Sequence, residues 1–133
     1  YYVGAIFTFA YLDESQKLDE IYNESAPLFE ELSKKEVCRT IIRKALFYYF
    51  LYKKDYSKAE VLLAEESNSV ATNNLRSDLL TEQGLYDEAR QICKENLHND
   101  LSKLERTLVS EQLQIIDLIE QGVLQRVFDY LPN

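Results

Sequence analysis

The side chains that could do chemistry are few and scattered. The one histidine, His98, stands beside Asn99 and Asp100, where it reads as a helix end and not as a general base. Cys38 and Cys93 share no CxxC spacing. Isolated thiols among apolar helical positions behave as small hydrophobes and make no disulfide framework, which suits a reducing compartment. Paired acids recur at Asp13/Glu14, Asp19/Glu20, Glu30/Glu31, Glu65/Glu66 and Asp87/Glu88. Acids near helix starts are stabilised by the helix dipole, so these pairs read as solvated or capping groups. A carboxylate-bridged metal bundle would need Glu-x-x-His on facing helices, which a single histidine denies. HExxH, EF-hand and phosphate-loop spacings are absent, as is the GxSxG elbow of a serine nucleophile. The expectation is a chain that is not an enzyme and carries no metal and no cofactor.

The residues suited to recognition are aromatic and basic. Of ten tyrosines, Tyr48, Tyr49, Tyr52 and Tyr56 fall within nine positions. They can pack a core, or Tyr48, Tyr49 and Tyr52 can line a groove, where an aromatic body and a polar tip serve a partner. Arg39 and Arg43 are one helical turn apart and can pair with a partner's carboxylates or with the acidic segment before them. Net charge is −8, which argues against a phosphate-coating, nucleic-acid-binding protein. The charge is segmented. Residues 1–33 carry net −6, residues 34–58 net +6 and residues 59–133 net −8. Lys34, Lys35, Arg39, Arg43, Lys44, Lys53, Lys54 and Lys58 therefore form either one side of paired neighbouring helices or a basic binding strip.

The elements that must hold these residues are helices. A length of 133 residues suits one domain, and three Gly with two Pro are too few for the tight turns of a sandwich or barrel. No stretch alternates apolar and polar residues long enough for a strand. Spacing predicts about eight helices, over residues 2–12, 15–32, 36–53, 56–66, 69–83, 86–97, 101–121 and 123–131. Pro27 should kink the second helix or restart it with Ser25 as the cap. In the third, Cys38, Ile41, Ile42, Ala45, Tyr49 and Tyr52 define one face, and residues 45–52 are apolar all round, which places that half at the centre. Asn68 or Ser69 should cap the fifth helix, and Asn99 or Asp100 the seventh. The seventh carries a stripe of Leu101, Leu104, Leu108, Gln112, Ile115, Ile116 and Ile119. Gly84 and Gly122 end their helices. The apolar opening, residues 3–12, is shorter than the ~20 residues that cross a bilayer. It reads as a buried first helix, or as the end of a span in sequence that precedes Tyr1. With no initiator Met, residues 1–133 are expected to be one helical domain of a longer, cytoplasmic protein, possible attachment to a membrane lying in that missing sequence.

Short links between helices imply antiparallel hairpins stacked side by side, and an internal echo supports this. Lys54-Asp55-Tyr56-Ser57-Lys58-Ala59-Glu60 recurs as Gly84-Leu85-Tyr86-Asp87-Glu88-Ala89-Arg90, with Tyr56/Tyr86 and Ala59/Ala89 each thirty residues apart. After the turn an aromatic ring wedges between two helices. Three residues on, a small side chain lets their axes approach, and Leu63 and Cys93 take the next inward position. These segments resemble the start of the second helix in tetratricopeptide repeats, over residues 36–98. The match is divergent: the offset is 30 residues against a family period of about 34, the Trp is missing, Leu46-Phe47 and Arg76-Ser77 replace the Leu-Gly pair, and neither unit has the closing proline. The resemblance implies an all-α, tetratricopeptide-like right-handed superhelix that holds a protein or peptide in its concavity, with Tyr56, Ala59, Gly84, Tyr86 and Ala89 as packing positions. The alternatives are a regulatory domain on the cytosolic face of a membrane protein, or a peptide-sensing domain of a bacterial regulator.

Overall fold

The computed structural model describes residues 1–64, 66, 69–98 and 100–129. The described chain is all-α: α1 (Tyr2–Tyr11), α2 (Ser15–Leu32), α3 (Glu36–Tyr52), α4 (Tyr56–Ala64), α5 (Val70–Glu82), α6 (Tyr86–Asn96), α7 (Lys103–Glu120) and a short 3-10 turn, Val127–Asp129. An eighth α-helix over 123–131 does not form among the described residues. Gly122 closes α7 and the chain then bends into the 3-10 turn. There the Asp129 carboxylate accepts from the Gln125 and Arg126 backbone N–H groups, which stops a longer helix.

The described residues divide into two compact units, residues 1–62 and residues 63–129, with α4 carrying the chain from one to the next. In the first unit α1 packs on α2 and α3, and α2 on α3. Its interior holds Leu18 and Phe29 of α2 and Ala45, Phe47, Tyr48 and Leu51 of α3. Burial on more than one side of α3 follows from its all-round apolar second half. Pro27 sits inside α2 without ending it. The predicted restart is absent because the Ser25 hydroxyl donates back to the Tyr22 carbonyl at 3.1 Å, within the turn before it. In the second unit α5, α6 and α7 pack against one another and the 3-10 turn lies on α5. Ala89, Cys93, Val109 and Ile116 are its buried apolar cluster.

One turn closes four helices. Asp13, Lys54, Gly84 and Gly122 have φ of 57°, 61°, 81° and 79°, the left-handed region. Each turn makes the same two bonds. The residue after the left-handed one donates five residues back, as Glu14 to Phe9, Asp55 to Phe50, Leu85 to Leu80 and Val123 to Leu118, all at 2.9 Å. The left-handed residue itself donates to Ala10, Leu51, Thr81 and Ile119 respectively, at 3.0–3.2 Å. This is the Schellman arrangement, which satisfies the last orphan carbonyls. The next helix starts two residues after the left-handed position in three of the four cases, at Ser15, Tyr56 and Tyr86. Five residues after it stand Leu18, Ala59 and Ala89, all fully buried. The hairpin of α1 and α2 is thus built like the two that the sequence echo marks. It escapes the pattern because Ser15 replaces the tyrosine and Leu18 the alanine.

Helix starts differ in how they are capped. The Ser69 hydroxyl accepts from the Thr72 N–H at 3.1 Å, as expected for α5, while Asn68 lies outside the described residues. For α7 the cap is Ser102, not Asp100, and Asn99 lies outside the described residues. The Ser102 hydroxyl accepts from the Glu105 N–H, and the Glu105 carboxylate accepts from the Ser102 N–H. That reciprocal pairing satisfies two donors at once.

Candidate functional site

Helix α3 positions most of the residues that sequence singles out, and it does not present them together. Its C-terminal half is wrapped. Tyr48 and Tyr49 are buried, with the Tyr48 ring edge-on to Phe7 of α1 at 5.5 Å. The Tyr49 ring stacks on Tyr22 at 4.0 Å and 7°. Its hydroxyl donates to Asp19 at 2.7 Å, and Lys53 donates to the other carboxylate oxygen at 3.0 Å. The Tyr49 hydrogen bond, helped by Lys53, holds the Asp19 carboxyl below the usual range. Burial first, and the Asp19 carboxylate second, push the Tyr49 phenol up. Tyr52 is half-buried with its hydroxyl on Asp13, and Lys58 lies over the Phe50 ring at 5.5 Å. Tyr48 and Tyr49 therefore sit inside the first unit, not along a surface groove.

The N-terminal half of α3 is different. Val37, Ile41, Lys44 and Tyr48 are three or four residues apart and share one side of the helix. At Tyr48 that side is covered. Two turns and three turns earlier it is bare, with Ile41 57% exposed and Val37 88% exposed. Lys44 is exposed on the same side, and Lys34 and Lys35 are exposed in the turn just before the helix. Arg39, exposed, and Arg43, half-buried, follow a row two residues out of step with Val37 and Ile41. At 100° per residue this turns them to nearly the opposite side. Sequence spacing placed Ile41 on the inner face; the structure leaves it in water. Which apolar row finds a cover depends on distant elements, which periodicity does not report.

The packing residues of the echo occupy matching places. Ala59 and Ala89 are fully buried, Tyr56 and Tyr86 are half-buried two residues past their turns, and Gly84 holds a positive φ. The second unit also contains buried polar groups that the sequence reading missed: Ser77, Asp78, Thr81 and Asn96, beside the anticipated inward Gln112. The Gln112 amide donates to Asp78 at 2.6 Å and to Ser77 at 3.4 Å, and the Cys93 thiol donates to Ser77 at 3.3 Å. Asn73 donates to Asn96 at 2.9 Å. Burial pushes the Cys93 thiol up; the Ser77 contact opposes this and the Asp78 charge adds to it. A neutral thiol is a poor nucleophile, so this network is suited to holding α5, α6 and α7 in register. The available signal was the placement of Ser77 and Thr81 beside Leu79 and Leu80, at helix positions that face inward.

Among the described residues, no three His, Cys, Asp or Glu side chains converge as metal ligands, and no helix is long and apolar enough to cross a membrane. Comparison with protein-family models, curated proteins and solved structures returned no match. The surface that stands out is the bare half of α3: two aliphatic side chains in water, bordered by Lys34, Lys35 and Lys44.

Proposed function

We propose that this chain is a non-enzymatic, protein-binding module of the tetratricopeptide-like, stacked-hairpin kind, and that the N-terminal half of α3 receives an apolar, acidic segment of a partner. The observation that carries the reading is the exposure of Val37 and Ile41 on a row that is buried two turns later, at Tyr48. Fully covering an aliphatic side chain is worth about 1.5–3 kcal/mol. Lysines at the border steer acidic partners and fix their register more than they add affinity. The recurring hairpin turn supports the repeat assignment, because it gives three helix pairs one common construction.

The test is site-specific photo-cross-linking of the intact protein in extract of its own cells. A benzoylphenylalanine at position 37 should yield a discrete protein adduct, whereas the same group at exposed Glu60 should not. Lys34→Glu, Lys35→Glu and Lys44→Glu together should cut the yield at least tenfold. Equal adducts at both positions, or a yield indifferent to the three reversals, would refute the surface.

A further inference from the structure

Helix α7 of the second unit carries a bare face built to the same plan. Leu104, Thr107, Leu108 and Glu111 repeat the spacing of Val37, Thr40, Ile41 and Lys44, and in each case the row starts at the second residue of its helix. Leu104 is 69% exposed and Leu108 43% exposed. Both rows run on into buried residues, Tyr48 in α3 and Ile115 in α7. The two faces share one spacing and differ in the sign of the charge at their borders. Around the α3 face stand Lys34, Lys35 and Lys44, opposed by Glu36; around the α7 face stand Asp100 and Glu111, opposed by Lys103. Arg106 lies about half a turn from the Leu104–Leu108 row. The wider segments follow the same bias, net +6 over residues 34–58 against net −8 over residues 59–133.

We infer that the bare face of α3 in one copy takes the α7 face of a second copy. This rests on the binding role proposed for α3 and names the partner. Leu104 and Leu108 supply the apolar groups, and Asp100 and Glu111 meet the lysine border. An anionic membrane fits less well, because the chain is net −8 and Glu30 and Glu31 are exposed just before the lysines. The contact joins two different patches, so it is heterologous: a pair of copies keeps one free patch of each kind, through which it adds further copies or closes into a ring. An interface limited to half a helix on each side is small, and small interfaces give weak, transient association.

Sedimentation of the full chain, from low-micromolar to near-millimolar concentration, tests this. The weight-average mass should climb with concentration and climb less in high salt, which screens the charged border. Ile41→Glu and Leu108→Glu should each weaken self-association at least tenfold. Mixed together they should form a heterodimer that grows no further, since each variant keeps the face the other has lost. Both positions are exposed, so melting curves should match the parent. If either glutamate shifts melting, Lys44→Glu and Glu111→Lys fill the same two roles. A variant that still self-associates alone, or a mixture that stays monomeric, overturns the inference. A chain that is monomeric throughout while position 37 cross-links a different protein overturns it too, and leaves the binding role of α3 standing.

Discussion

The two units close their hairpins with the same turn and fill their interiors in different proportions of ring, aliphatic and polar groups. The first uses large rings: Phe29, Phe47, Tyr48 and Tyr49 are buried, and the Tyr49 hydroxyl reaches outward to a carboxylate at the rim. The second buries, among its described residues, a single ring, Phe128, with smaller apolar groups, Ala89, Cys93, Val109 and Ile116, and a hydrogen-bonded set of Ser77, Asp78 and Gln112. The turn is a backbone solution to orphan carbonyls and is indifferent to what lies between the helices. The interior is then free to vary, which is why the hairpin construction recurs where the residues do not. Stability in the first unit depends on volume. In the second it depends also on donors and acceptors finding each other.

The largest expected effect tests that contrast directly. Phe47→Ala should destabilise the first unit by about 3–5 kcal/mol through lost burial and a cavity. Gln112→Ala should cost the second unit about 1–3 kcal/mol, because the Asp78 carboxylate loses a buried donor. Urea unfolding followed by residue-resolved hydrogen exchange separates the two. The contrast is broken if Gln112→Leu, which restores volume without the donor, is as stable as the parent.

A smaller effect concerns what the units share. Gly84 has open space around its α-carbon, so Gly84→Ala should cost only the left-handed strain of about 1–2 kcal/mol. Lys54 holds the equivalent position with a side chain, and Lys54→Gly should stabilise by up to about 1 kcal/mol. Thermal melts should move in opposite directions. Equal signs would show that the two turns are not equivalent.

The smallest effect is a pH dependence confined to the first unit. The folded Asp19 carboxyl titrates below its ordinary value. Its stabilisation is present above that ordinary value and is lost as pH falls through the lowered one. The folded Tyr49 phenol titrates above its ordinary value. Its stabilisation is complete below about pH 10 and is lost as pH rises toward the raised value. Tyr49→Phe should cost about 1 kcal/mol at neutral pH and weaken the acid limb, since the Tyr49 hydrogen bond is the main cause of the Asp19 shift. An unchanged acid limb would assign that limb to other carboxylates.

Much of the fold is legible in the sequence, because helix starts, stops and faces are local. The bounds of the first seven helices fall within about two residues of those read from spacing, and Gly84 and Gly122 announce their turns. Asp13 and Lys54 do not. A left-handed residue with a β-carbon is imposed by the hydrogen bonds around it and leaves no compositional mark. The candidate surface was legible only in part. The basic segment at residues 34–58 drew attention to α3, yet the spacing rule put Ile41, Leu104 and Leu108 inside. Those three side chains obey the period of buried residues and remain in water, since the pattern records a side made for contact and not whether this chain supplies the contact.

The most direct test of the central claim, that these uncovered rows are binding faces, is a dilution series of methyl-labelled protein followed by NMR. The methyl signals of Val37, Ile41, Leu104 and Leu108 should move together as concentration rises, while those of buried Ile42 and Ile116 stay in place. Methyl signals of these four exposed residues that remain fixed across the whole range, or movement spread evenly through both interiors, would contradict it.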